Sequence, residues 1–112
     1  HYNSLIMKTN NNGGHFMQYQ ITAFDGTDEQ ANERRMSARP AHLKEAAVLK
    51  DAGNIIAGGA ILDDDGNMIG STLYVDFETP DELDAWLVND PYVKEGVWED
   101  INIMPIRLAV KP

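Results

Sequence analysis

Three features of the sequence predict an α+β domain with the element order β-α-β-β-α-β. Residues 17–25 alternate apolar and polar side chains, the pattern of a half-buried strand. Residues 54–62 and 68–77 are two more strand-like runs, split by the short acidic turn 63–67. Two helix-favouring stretches, ending at Gly53 and before Pro91, separate these strands from one another and from a final strand. This order is the split βαβ, or ferredoxin-like, arrangement: a four-stranded antiparallel sheet with its helices on one face.

Each element follows from its residues. In the first strand Met17, Tyr19, Ile21 and Ala23 share one face, and Gln18, Gln20 and Thr22 the other. Gly26-Thr27-Asp28 ends it, with Asp28 placed to cap a following helix. The stretch 29–52 favours helix but contains Pro40, which lacks an N–H and biases Arg39 away from helical angles. A short first helix or turn is therefore expected, then a longer helix over 40–52 with Pro40 in its first turn. Leu43, Ala46, Ala47 and Lys50 lie on one side of it, Val48 and Leu49 widen the apolar stripe, and Gly53 terminates it. Thr79 followed by Pro80 and Glu82 forms a capping-box start for a second helix over 80–88. Leu83, Trp86 and Leu87 stand at packing spacing on that helix, and Asn89-Asp90-Pro91 stops it. Residues 92–96 form a short connection or helical turn. The last strand, 97–110, changes apolar parity beside Pro105, which predicts a bulge or an edge position there. Helices on one side leave the other sheet face open, and Tyr74 and Trp98 are its apolar candidates. An open apolar face implies a partner, and two such sheets packed together give a homodimer, a dimeric α+β barrel.

Composition narrows the function classes. With 112 residues the chain is long enough for one domain with one core. A formal net charge of −9 opposes binding to a phosphate backbone, so no nucleic-acid partner is expected. No apolar run approaches the roughly 20 residues of a membrane span, so no membrane partner is expected either. The chain has no cysteine, which excludes disulfides and thiolate metal sites and fits a cytoplasmic location. The acidic clusters at 63–65, 81–82 and 99–100 read as solvated surface. Residues 1–16 carry a single charged residue, Lys8, plus an Asn/Gly cluster, and lack the features of a secretory signal. They read as a flexible leader or added extension, in which Leu5, Ile6 and Met7 could pair as a short strand, preceding a domain over 17–112. No metal site is read into His1 or His15.

An ordered set of motifs lies within the domain: Arg39-Pro40-Ala41-His42-Leu43 on the first long helix, Gly70-Ser71 opening a strand, Asp90-Pro91-Tyr92 after the second helix, and Met104-Pro105-Ile106 on the last strand. In this order and spacing the set resembles the YciI-like (YCII-related) proteins over essentially all of 17–112. The resemblance implies a ferredoxin-like domain, usually a dimeric α+β barrel, similar in fold to muconolactone isomerases and to small dehydrochlorinase-like enzymes. It also implies a His–Asp site at His42 and Asp90, with Ser71 and Tyr92 at the family's serine and tyrosine positions. One departure is the short turn 63–67, where relatives often carry a longer glycine-rich stretch.

His42 is the only histidine within 17–112, and imidazole can move a proton both ways near neutrality. The residues alone favour a packed His42 and a turn-capping Asp90; the resemblance implies a functional pair. Arg39, one turn before His42, suits a substrate carboxylate or an ion pair with Glu33 or Asp90. Ser71 suits a hydrogen bond to a ligand oxygen, but no G-x-S-x-G turn makes it a nucleophile. Tyr92 and Trp98 suit a pocket wall or the core. Gly58-Gly59 lacks any phosphate-loop continuation and reads as close strand packing. The acidic turn lacks a calcium loop's distal glutamate, Tyr74 standing there instead. The leading expectation is a cofactor-independent enzyme working by general acid–base chemistry. Its reaction would be an isomerisation, lactone-type rearrangement or elimination on a small, cyclic or carboxylated molecule. The alternative is a non-catalytic small-molecule-binding or assembly domain. A heme enzyme is a third class, with only the lone domain histidine in its favour.

Overall fold

The computed structural model describes residues 17–112; the expected leader, with His1 and His15, lies outside the described residues. The chain runs β1 (Met17–Asp25), α1 (Ala31–Asp51), β2 (Ile55–Leu62), β3 (Met68–Phe77), α2 (Pro80–Asn89), α3 (Pro91–Lys94) and β4 (Trp98–Ile106). The strands form one sheet in the order β2-β3-β1-β4. All three pairings are antiparallel, β1 lying between β3 and β4. This is the ferredoxin-like sheet, with β2 and β4 at its edges.

Alternation in the central strands builds the core. Tyr19, Ile21 and Ala23 of β1 and Leu73, Val75 and Phe77 of β3 are buried together, and Leu83, Trp86 and Leu87 of α2 join them. Each large apolar side chain buried this way contributes about 1.5–3 kcal/mol. The turn between β2 and β3 closes through Asp63, whose Oδ1 accepts from the amides of Asp65 and Asn67 at 2.9 Å each, with Gly66 at φ 86°. At α2 the expected cap forms, with a shifted return bond: Thr79 Oγ1 accepts from the Glu82 amide at 3.1 Å, and the Glu82 carboxylate accepts from the amide of Glu78, one residue before the N-cap, at 3.2 Å.

Several local expectations are corrected. Pro40 does not divide the first helix: α1 runs unbroken through it. The pyrrolidine forfeits one backbone bond, and Pro40 itself is exposed, so its ring meets no packed neighbour on the outer face. The fully buried stripe of α1 is Ala31, Arg35, Ala38 and His42; of the expected apolar side, Ala46 and Leu49 pack against the core, Leu43 is half-exposed at the cavity, and Val48 faces outward. Of the bulge or edge position expected at Pro105, the edge is found: Pro105 pairs in regular register with Tyr19 on the edge strand β4, and the irregularity falls instead between Trp98 and Asp100, opposite Phe24 and Asp25. Trp98 lies in the buried core rather than on the open sheet face. Tyr74 faces away from the core strand residues Leu73 and Val75, and is half-buried.

Candidate functional site

The inner stripe of α1 carries two polar side chains, Arg35 and His42, set two helical turns apart. His42 meets Asp90. Its Nδ1 stands 2.9 Å from Asp90 Oδ2 and 3.1 Å from Oδ1, and both residues are buried. Asp90 is held by its own chain, because it is the N-cap of α3. Its Oδ2 accepts from the Tyr92 amide at 2.9 Å, and Pro91 takes the first helical position. The Asp-Pro-Tyr sequence thus fixes the carboxylate before His42 reaches it. An ionised carboxylate only accepts, so His42 donates through Nδ1–H, and neutral imidazole then carries its lone pair on Nε2. Tyr92 stacks flat on His42, with ring centroids 3.8 Å apart and planes 9° apart, and Trp98 meets the imidazole edge-on at 5.8 Å.

Arg35 builds the second half of the site. Its Nη1 donates to both oxygens of Asp25, at 3.0 and 3.1 Å, and its Nη2 donates to Ser71 Oγ at 3.0 Å. Trp98 Nε1 donates to the same Ser71 oxygen at 3.1 Å. The Arg35 guanidinium also lies 4.8 Å from the centre of the Tyr92 ring, a cation–π contact. Burial raises the Asp25 carboxyl above its usual pKa, against the opposing pull of Arg35. Burial likewise raises the Tyr92 phenol, against Arg35 and Arg39. Among the described residues Arg35 Nε is the one buried side-chain polar atom without a hydrogen-bond partner.

Both halves border a cavity of about 670 Å³ between α1 and the β2–β3 side of the sheet, within the usual range for small-molecule sites. Arg39, His42, Ser71 and Tyr92 line it together with Arg35 and the small residues Gly58, Gly59 and Ala60 of β2. A Cβ on Gly58 would press on the Leu73 side chain at 3.2 Å, whereas one on Gly59 would meet nothing within 4 Å. Close packing therefore accounts for the first glycine only. At Gly70 a Cβ would collide with the Ala23 carbonyl, so only glycine lets β3 pass β1 there and set Ser71 inward.

All the sequence-predicted site residues, His42, Asp90, Arg39, Ser71 and Tyr92, thus gather at one place. His42 and Asp90 bond directly; Arg39, Ser71 and Tyr92 share the cavity wall with His42. Arg39 forms no ion pair with Glu33 or Asp90 and is partly exposed at the cavity. Sequence reasoning missed Arg35 and Asp25. The signal was present: Asp25 continues the inward parity of Tyr19, Ile21 and Ala23, and Arg35 lies at helical spacing from His42 once the helix is continuous through Pro40. Among the described residues no group of three or more His, Asp or Glu side chains stands together as a metal site, and no helix is long and apolar enough to cross a membrane.

Comparison with known proteins agrees with this architecture. The model of the YCII-related domain family matches residues 17–107. The chain is 36% identical over 97 residues to Protein YciI of Escherichia coli O6:H1, covering 81% of this chain and 97% of that one. It is 31% identical over 86 residues to the derivative of benzaldehyde biosynthesis cluster protein C of Emericella nidulans, covering 70% and 82%. Among solved structures it is similar to the 5-chloro-2-hydroxyhydroquinone dehydrochlorinase TftG of Burkholderia phenoliruptrix in complex with 2,5-dihydroxybenzoquinone. That match has a TM-score of 0.70 and 28% identity, covering 81% of this chain and 94% of TftG. A dimeric ferredoxin-like protein of unknown function from Jannaschia shares the fold alone, at a TM-score of 0.50 and 17% identity over 82% of this chain and 99% of its own.

Proposed function

The chain belongs to the YCII-related domain family, and from that premise we propose that it is a small-molecule enzyme in which His42, oriented by Asp90, is the general acid and base. The observation that carries this reading is the buried Nδ1–carboxylate contact of 2.9 Å on a residue that lines a ligand-sized cavity. With Nδ1 committed to Asp90, Nε2 is the nitrogen available to take a proton from a substrate carbon and return it elsewhere. In an isomerisation or lactone-type rearrangement the same proton is delivered to a second atom. In an elimination the C–H electron pair becomes the new π bond, the leaving group departs with its own pair, and His42 keeps the proton until solvent removes it. Arg39 and Tyr92 orient the substrate, Arg39 through a carboxylate or another anionic group. No cofactor enters this scheme. The likeness to a dehydrochlorinase solved with a hydroxyquinone supports a small cyclic, oxygenated substrate.

A homodimer is part of the proposal. Among the described residues no element covers the sheet face opposite the helices, and a second copy packed on it would close a barrel.

The test is a screen for turnover of 5-chloro-2-hydroxyhydroquinone, small lactones and unsaturated carboxylic acids, followed by mass spectrometry. Wild type should form product, and His42→Ala should lose at least about 10²-fold in rate, the low end of general acid–base assistance. A substrate turned over at full rate by His42→Ala overturns the mechanism. Ligands that raise the melting temperature without forming product would favour the binding-module reading.

A further inference from the structure

Ser71 occupies a hydrogen-bonding position that fixes which way it can act. Its Oγ accepts from Arg35 Nη2 at 3.0 Å and from Trp98 Nε1 at 3.1 Å. Neither a guanidinium nor an indole N–H can accept, so both are donors whatever the pH. The two lone pairs of the hydroxyl are thereby used, and only its O–H remains. Among the described residues nothing accepts that O–H, although Ser71 is 3% exposed and lines the same cavity as His42. A buried hydroxyl proton directed to no protein acceptor is left for the contents of the cavity.

We propose that Ser71 is an oxyanion donor, locked by Arg35 and Trp98, and that the substrates of this cavity therefore present a carbonyl or enolate oxygen to it. The inference rests on the acid–base reading of His42 and deepens it. When His42 Nε2 takes a proton from the carbon next to a carbonyl, the C–H electron pair forms the C=C bond and the carbonyl π pair moves to oxygen. Ser71 keeps its own proton and hydrogen-bonds the resulting enolate. The cationic Arg35 polarises the Ser71 hydroxyl by donating to its oxygen, which strengthens the bond Ser71 gives. Asp25 acts one step further back, holding the guanidinium through Nη1 so that Nη2 faces Ser71. Arg35, Asp25 and Trp98 are positioning residues in this scheme; of these four side chains Ser71 is the one that touches the substrate. A ligand offering only donors or only hydrocarbon at this point would leave the hydroxyl unpaired, so the site selects against it.

The experiment is a spectrophotometric titration of the full chain with 2,5-dihydroxybenzoquinone, which carries carbonyl oxygens. Wild type should bind it. Ser71→Ala should bind at least about tenfold more weakly, the loss expected for one hydrogen bond in a charge-assisted network. Ser71→Cys, nearly equal in size but a poor donor, should weaken binding similarly and guards against a folding defect in the alanine variant, with melting curves recorded for both. Failure of wild type to bind the quinone overturns the inference, as does unchanged affinity in a folded Ser71 variant. Neither outcome touches the His42→Ala rate, so the acid–base reading stands or falls separately.

Discussion

Asp90 answers two structural demands with one carboxylate. It caps α3 through the Tyr92 amide and fixes the His42 ring through Nδ1. Asp90→Asn keeps the cap and removes the charge. An amide oxygen in the Oδ2 position can still accept from the Tyr92 N–H and from His42 Nδ1–H, both at 2.9 Å in the parent protein, so stability should change by only about 1 kcal/mol. A neutral amide no longer offsets the positive charge that His42 gains when it takes a proton. Turnover should fall by about 10²-fold or more while the melting curve barely moves; equal turnover would show that the carboxylate charge is irrelevant. The Arg35–Asp25 pair behaves differently, since it is equally buried but its guanidinium cannot give up its charge. Asp25→Ala leaves a guanidinium without its counter-ion and should destabilise by about 3–5 kcal/mol in urea unfolding. Arg35→Met combined with Asp25→Leu should recover most of that loss, because two apolar side chains leave no buried charge behind. A small effect of Asp25→Ala alone would mean that water reaches the pair.

At the level of elements, α1 decides how the site is assembled, and it is also where sequence reading reached its limit. The strands and the α2 cap were legible because their signals are local: alternation along Met17–Asp25, and Thr79-Pro80 followed by Glu82. The inner face of α1 was not, because it is not apolar. Its buried positions are two alanines, Arg35 and His42, whereas the large apolar residue Leu43 is half-exposed at the cavity and Val48 points outward. Periodicity of hydrophobic residues therefore indicates the cavity-facing side of Leu43, Ala46, Ala47 and Lys50 but not the polar positions buried beside it, and Pro40 suggests a break that tertiary packing overrides. The site pair itself was legible only through the motif resemblance, since nothing in a 48-residue separation requires contact. The continuity of α1 makes a prediction: Pro40 is exposed and costs a helical hydrogen bond, so Pro40→Ala should stabilise the fold by about 1–3 kcal/mol. A loss of stability would mean that the proline ring is needed where it stands. The start of α1 makes another. Asp28 accepts from both terminal nitrogens of Arg34, at 2.8 and 3.0 Å, and its carboxyl is held down to about 2 from an ordinary 3.8. The folded value lies below the unfolded one, so the stabilisation is complete above about pH 4 and is lost as pH falls towards 2. Asp28→Asn should melt below wild type at neutral pH and converge with it near pH 2.

For the whole molecule the governing facts are a net charge of −9 and one sheet face that no helix among the described residues covers. Two chains carrying that charge repel unless the surface that joins them is locally neutral. The middle of the open face meets this condition. In alternation with the core residues it carries Gln20 and Thr22 of β1, Thr72 and Tyr74 of β3, and Asn102 and Met104 of β4, which pair across the strands. The acidic residues on the same face, Asp76 and Asp100, sit towards its ends. Uncharged side chains at the centre with charges at the rim match the composition of a protein interface. Light scattering should therefore give twice the mass of the chain. Tyr74→Asp, which adds a charge at the centre without touching the cavity on the other face, should give the single-chain mass at micromolar concentration with the strand content of wild type preserved. Because β2 and β3 form the cavity floor as well as half of this face, the variant should also bind 2,5-dihydroxybenzoquinone more weakly if dimerisation stiffens the sheet. A Tyr74→Asp protein that stays at twice the chain mass would place the contact between copies somewhere other than the sheet.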